Sequence, residues 1–204
     1  MPVATLDSSG TKIKLFYTDT GPLDSKDYTT IFIYHGSAFT PRKKTCDINR
    51  AYRNKADLQN WWWTETFRKI LPFAPTSNIR LVLVTRRDYG SHDAVDSPGS
   101  TPYTDDDLED IKAGRDIFLQ RLALEVANFI IWFTETHKIP TISEDRKSGG
   151  ISVMGWSIGT LGPMALLGHP HVVPKESQQK LASYLRQVIL YGAFLPHRNP
   201  ISLQ

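Results

Sequence analysis

The chain has 204 residues, 40% of them hydrophobic and 22% charged, with 24 basic and 21 acidic side chains and a formal charge of +3. That length suits one domain able to bury about 70% of its unfolded surface. The composition excludes an extended disordered chain, a collagen-like repeat and a disulfide scaffold, and the charge is too balanced to mark a nucleic-acid protein by itself.

In chain order, short β-rich runs alternate with helical ones, the pattern of a layered α/β fold. Residues 12–18 (KIKLFYT) alternate polar and apolar and read as a strand, and residues 29–34 (TTIFIY) read as a strand ending in His35-Gly36. Residues 57–71 carry Leu58, Trp61, Trp62, Phe67 and Leu71 on a loose helical face ended by Pro72. Residues 80–85 (RLVLVT) read as another strand, leading into Arg86-Arg87-Asp88-Tyr89-Gly90. A long helical region opens at Thr104, with apolar positions Leu108, Ile111, Phe118, Leu122, Val126, Phe129 and Phe133 stepping by three or four. Gly114 is expected to divide it into a short and a long helix. Residues 151–155 (ISVMG) form a strand that runs into Trp156-Ser157, followed by a helix that Pro163 should kink or shorten. A helix over 175–186 and a strand over 187–191 (QVILY) complete the pattern. Strands this apolar on both faces belong in a mostly parallel sheet covered by helices.

Gly155-Trp156-Ser157-Ile158-Gly159 spells G-x-S-x-G between a strand and a helix. A turn this sharp holds its serine in strained backbone geometry, clear of the sheet, while the flanking glycines let chains approach closely. The helix behind directs free N–H groups toward a reacting atom. A second motif, His35-Gly36-Ser37-Ala38, ends the strand over 29–34. Acyl transfer needs two N–H donors aimed at the developing oxyanion. Ile158, the residue after the candidate nucleophile Ser157, supplies one, and Ser37 the other. His35 reads as a structural histidine.

On these residues the chain resembles the α/β-hydrolase superfamily, and within it the fungal-type esterase-like members that carry the AB hydrolase-1 domain. Residues 9–21 resemble the opening hairpin, 31–36 the third strand with its oxyanion loop, and 81–89 the fourth strand. Residues 155–159 resemble the nucleophile elbow and 188–193 the sixth strand. The resemblance implies an α/β-hydrolase fold truncated after the sixth strand, with residues 1–204 as a single partial domain. It also implies a serine nucleophile at Ser157, an ester-like small-molecule substrate and no cofactor. Serine at 157 disfavours the aspartate-nucleophile branch of epoxide hydrolases and haloalkane dehalogenases.

The family's triad runs serine, acid, histidine. Downstream of Ser157 there is no Asp, Glu176 is the only Glu, and the histidines are His169, His171 and His197. Glu176 opens a helix, where a carboxylate serves the dipole, and is expected far from Ser157. His197 is read either as a base or as a surface residue of a tail, and His169 and His171 as turn residues around Pro170. The triad acid and histidine are therefore expected to be missing, which leaves a second possibility, a non-catalytic or truncated hydrolase-fold protein.

Other constellations have plainer readings. Asp105-Asp106-Asp107 with Glu109 and Asp110 fits an N-capped first helical turn behind Thr104 better than a metal site, and no metal is expected. Residues 42–69 hold eight basic and three acidic side chains among aromatic ones. This stretch suits a pocket wall or a solvated helix face better than a nucleic-acid surface. Cys46 is the only cysteine, so no intrachain disulfide forms and a reducing, cytoplasmic setting is expected. No continuous apolar run nears the roughly 20 residues of a membrane span, and Met1 to Gly10 does not read as a secretory signal. Self-association through the strand at 188–191, an apolar run without charge or proline, is expected if that strand is an open edge.

Overall fold

The computed structural model describes residues 2–8, 11–36, 67, 69–87 and 100–192. Within them lie six strands, β1 (Val3–Ser8), β2 (Thr11–Asp19), β3 (Thr29–Tyr34), β4 (Ile79–Val84), β5 (Ile151–Trp156) and β6 (Leu185–Tyr191). Four helices accompany them, α1 (Asp105–Lys112), α2 (Asp116–His137), α3 (Leu161–Gly168) and α4 (Lys175–Tyr184). The sheet order is β1-β2-β4-β3-β5-β6. β1 and β2 form an antiparallel hairpin, β2 runs antiparallel to β4, and β3, β4, β5 and β6 are mutually parallel. This is the expected α/β class with a mostly parallel, helix-covered sheet.

Alternation along the central strands explains why they are apolar throughout. Phe32, Tyr34, Val82, Val84 and Val153 face one side and pack with Val126, Phe129, Ile130 and Phe133 of α2. Ile33, Leu81 and Leu83 face the other side with Phe67 and Ala74. Phe32 meets the edges of Phe129 and Phe133 at ring separations of 5.3 and 5.0 Å, which gives the α2 face directional contacts as well as buried area. By length and composition α2 is one helix able to cross a membrane, yet here it is the helix that covers the sheet.

Several boundaries differ from expectation for local reasons. The hairpin begins at Val3, ahead of residue 9, because Ala4 and Leu6 are buried and give the first strand its own alternation. Leu185 and Arg186 belong to β6 and not to the preceding helix: the Arg186 guanidinium donates to Thr29 Oγ1 at 2.7 Å and to the Arg146 carbonyl at 2.9 Å, which holds that segment extended beside β5. Pro163 sits in the first turn of α3, where the N–H it lacks would have no helical partner, and α3 runs for only 8 residues. Gly114, with φ +64°, separates α1 from α2 as expected. Most of the helix expected over 57–71 lies outside the described residues, and Leu71 opens a short 3₁₀ turn, Leu71–Phe73.

Candidate active site

β5 delivers Ser157 to the carboxyl end of the parallel strands. Trp156 is still extended, with φ −112° and ψ 128°, and Ser157 then turns to φ +54°. A non-glycine residue in the left-handed region carries about 1 kcal/mol or more of strain, and it opens a 3₁₀ turn, Ser157–Thr160, that leads into α3. The Thr160 hydroxyl donates to the Ser157 carbonyl at 2.6 Å and braces the turn.

The flanking glycines are required by space. A Cβ on Gly155 would lie 2.5 Å from Thr160 Cα, and one on Gly159 would lie 2.3 Å from the Tyr34 carbonyl oxygen. These contacts clamp the elbow against its own turn and against the end of β3. Gly36 completes the junction: its Cβ would stand 3.0 Å from Ser157 Cβ. The loop leaving β3 therefore passes directly beside the serine. Ser157 is half-buried, and the Ile158 side chain is 43% exposed. Ser37, the other expected oxyanion donor, lies outside the described residues.

His35 has the structural role read from the sequence. It is 4% exposed. Its Nδ1 sits 2.7 Å from the Gly36 carbonyl, and its Nε2 accepts the Arg86 N–H at 3.1 Å. That pairing places the proton on Nδ1 and ties the loop after β3 to the loop after β4. Burial, with the Arg86 charge second, pushes the imidazole down to about 3, so it is neutral at ordinary pH.

No described histidine or carboxylate hydrogen-bonds the Ser157 hydroxyl. Glu176 stands in the first turn of α4. His169 caps α3 and precedes the turn Pro170–Val172, of which His171 is the middle residue; the His169 Nε2 lies 3.4 Å from Asp116. His197 lies outside the described residues, as do Cys46 and nearly all of residues 42–69.

The acidic run at 105–110 behaves as a cap and as an ion-pair array. Thr104 Oγ1 accepts the Asp107 N–H at 3.1 Å, and Asp107 Oδ2 accepts the Thr104 N–H at 3.0 Å, a full capping box. Asp107 also pairs with Arg87 at 3.1 Å and Arg121 at 3.0 Å. Asp110 pairs with Arg115 at 2.9 Å and with Arg121. Among the described residues no group of three or more His, Cys, Asp or Glu is placed to hold a metal ion.

Sequence reasoning missed one member of this array. Glu125 lies on the buried side of α2 at 5% exposure, and its nearest cation, Arg87 Nη1, is 3.9 Å away. The available signal was a carboxylate between Leu122 and Val126, four residues before Phe129, on a stripe otherwise apolar. Burial, only partly offset by Arg87, pushes Glu125 up to about 7.

No protein-family model matches the chain, and no curated protein matches it. Among solved structures it is similar to a bromoperoxidase from Bacillus anthracis, with 12% identity and a TM-score of 0.44, over 94% of this chain and 45% of that one. It is also similar to a thermophilic esterase from Thermogutta terrifontis, with 13% identity and a TM-score of 0.45, over 98% and 48%. A Vigna radiata epoxide hydrolase mutant gives 14% identity and a TM-score of 0.44, over 98% and 41%. The chain thus spans less than half the length of each of these proteins.

Proposed function

We propose that this chain carries the nucleophile half of a serine hydrolase of the α/β-hydrolase superfamily, acting on a carboxylic ester. The observation that carries the reading is Ser157 at φ +54°, between two glycines whose positions admit no Cβ, on a strand–turn–helix junction. Strain of this kind persists where the surrounding structure over-determines it, and it clusters at reacting groups. The ordinal placement of the other segments supports it: the hairpin, the third and fourth strands and the sixth strand form where the resemblance to that superfamily puts them.

In this reading the Ser157 hydroxyl attacks the ester carbonyl, and the N–H groups of Ile158 and Ser37 hold the oxyanion. Gly36 against Ser157 favours Ser37 as the second donor, since it is the next residue of the same loop. In this reading the triad acid and histidine are missing from this chain. Without them the serine has no base, at a cost on the order of 10⁴ to 10⁶ in rate.

The test is hydrolysis of a short-chain nitrophenyl ester by the 204-residue chain, alongside Ser157→Ala and labelling by a fluorophosphonate. We expect turnover barely above background. Slow labelling that disappears in Ser157→Ala is also expected. Full esterase turnover abolished by Ser157→Ala would keep the nucleophile and overturn the missing base, with His197→Ala as the next variant. Labelling that survives Ser157→Ala would overturn the nucleophile itself and favour the second reading, a non-catalytic hydrolase-fold protein.

A further inference from the structure

A cavity of about 260 Å³ opens where the start of β2, the approach to α1 and the first half of α2 meet. Its walls include Thr11, Ile13, Tyr103, Phe118 and Leu122, with the Glu125 carboxyl among them. The two guanidiniums at its rim are occupied. Arg87 donates to the Thr101 and Pro102 carbonyls at 3.3 and 2.5 Å, pairs with Asp107 and lies 4.5 Å from the Tyr103 ring centre. Arg121 is held by Asp107 and Asp110. Glu125 differs from both. No described group hydrogen-bonds its carboxyl, and the 3.9 Å to Arg87 is beyond hydrogen-bond reach. The nearly buried Glu125 side chain borders open space lined by an aromatic pair, Tyr103 and Phe118, 5.6 Å apart.

We propose that this cavity binds a small organic amine, its ammonium donating to Glu125 and its apolar body lying against Ile13, Phe118 and Leu122. The chemistry selects a cation. Arg87 and Arg121 are each ion-paired with Asp107 inside the protein, although Arg121 Nε makes no hydrogen bond, whereas the Glu125 carboxyl has no described donor and its described ion-pair partner, Arg87, stands 3.9 Å away. The volume is below the usual range of about 300–1,000 Å³ for drug-sized ligands, so an arylalkyl or short alkyl amine fits and a larger ligand does not. None of the residues lining the cavity belongs to the elbow, and the proposal does not depend on the reading of Ser157.

Affinity should follow the ionisation of Glu125. The groups facing it are Arg87 and Arg86 from the loop after β4, Asp107 from α1 and Tyr34 from β3, with Arg121 one turn away on α2. With Glu125 titrating near 7 and the amine charged throughout, the competent fraction grows about tenfold between about pH 6 and about pH 8.

The experiment is calorimetric titration of the full chain with phenethylamine, its neutral isostere phenethyl alcohol and the anion hydrocinnamate. Saturable binding of the amine alone is expected, tightening by about tenfold across that pH interval and weakened at least about tenfold in Glu125→Gln. A second variant, Leu122→Phe, fills the cavity but keeps the carboxyl, and should lose binding while circular dichroism shows the fold retained. No saturable binding of the amine, equal binding of the alcohol, or unchanged affinity in folded Glu125→Gln would overturn the proposal.

Discussion

Strain and burial are concentrated on a few residues. Ser157 stands at φ +54°, so glycine there should relieve strain. We expect Ser157→Gly to raise unfolding free energy by about 0.5–1 kcal/mol in urea titration. Gly159→Ala, with a Cβ 2.3 Å from the Tyr34 carbonyl, should lower it by about 3 kcal/mol or more. Two buried titratable groups give opposite pH slopes. Glu125 rises from 4.5 to about 7 in the folded chain, so its protonated form is favoured there. Its contribution is fully present below about pH 4.5 and is lost as pH rises through about 7, a change on the order of 3 kcal/mol. His35 falls from 6.5 to about 3, so its contribution is present above about pH 6.5 and is lost as pH falls through about 3. In wild type the two slopes oppose each other between about pH 4.5 and 6.5. Glu125→Gln should therefore show stability rising with pH across that interval and a gain over wild type near pH 8, both read from denaturant midpoints. A Glu125→Gln profile parallel to wild type would contradict the assignment of Glu125 as the falling component.

At the scale of elements, α1 inverts the usual amphipathic arrangement. Its buried side chains are Asp107 and Asp110, while Leu108 and Ile111 are 39% and 44% exposed. Carboxylates face inward because Arg87, Arg115 and Arg121 meet them and because the capping box closes the first turn. Charge pairing and capping therefore hold this helix more than apolar burial does. Ile111→Lys should then leave stability within about 0.5 kcal/mol. Thr104→Ala should cost about 1 kcal/mol, and Asp107→Ala about 3 kcal/mol or more, since it leaves Arg87 short of its partner. Thermal melts of the three variants would rank them, and an Ile111→Lys loss as large as that of Asp107→Ala would show that the apolar face matters after all.

For the whole molecule, β6 has β5 as its one neighbour among the described residues. Leu190 and Tyr191 on that strand are 43% and 60% exposed. The outward side of the elbow and α3 adds Ile158, Leu161, Met164 and Leu167 at spacings of three, each more than a third exposed. An open apolar strand beside an apolar helix stripe recruits further strands or copies. We expect the chain to self-associate, and Leu190→Lys with Tyr191→Lys to raise the monomer fraction in light scattering. A monomer at high concentration without those changes would count against it.

Local chemistry made much of this readable from the sequence alone. Alternation and β-branching marked the strands, Thr104 and Gly114 marked where α1 starts and stops, and G-x-S-x-G between a strand and a helix located Ser157, because each of these signals is complete within a few residues. What tertiary structure decided concerns partners distant in the chain. Arg186 bonding Thr29 extended β6 by two residues against a helical pattern. Pairing with Arg87 and Arg121 turned the acidic face of α1 inward. Burial against the loop after β4 left Glu125 with no hydrogen-bond donor among the described residues, beside a cavity. No window of neighbouring residues carries those facts, since the energy of a buried charge depends on which distant groups the fold brings within a few ångströms of it.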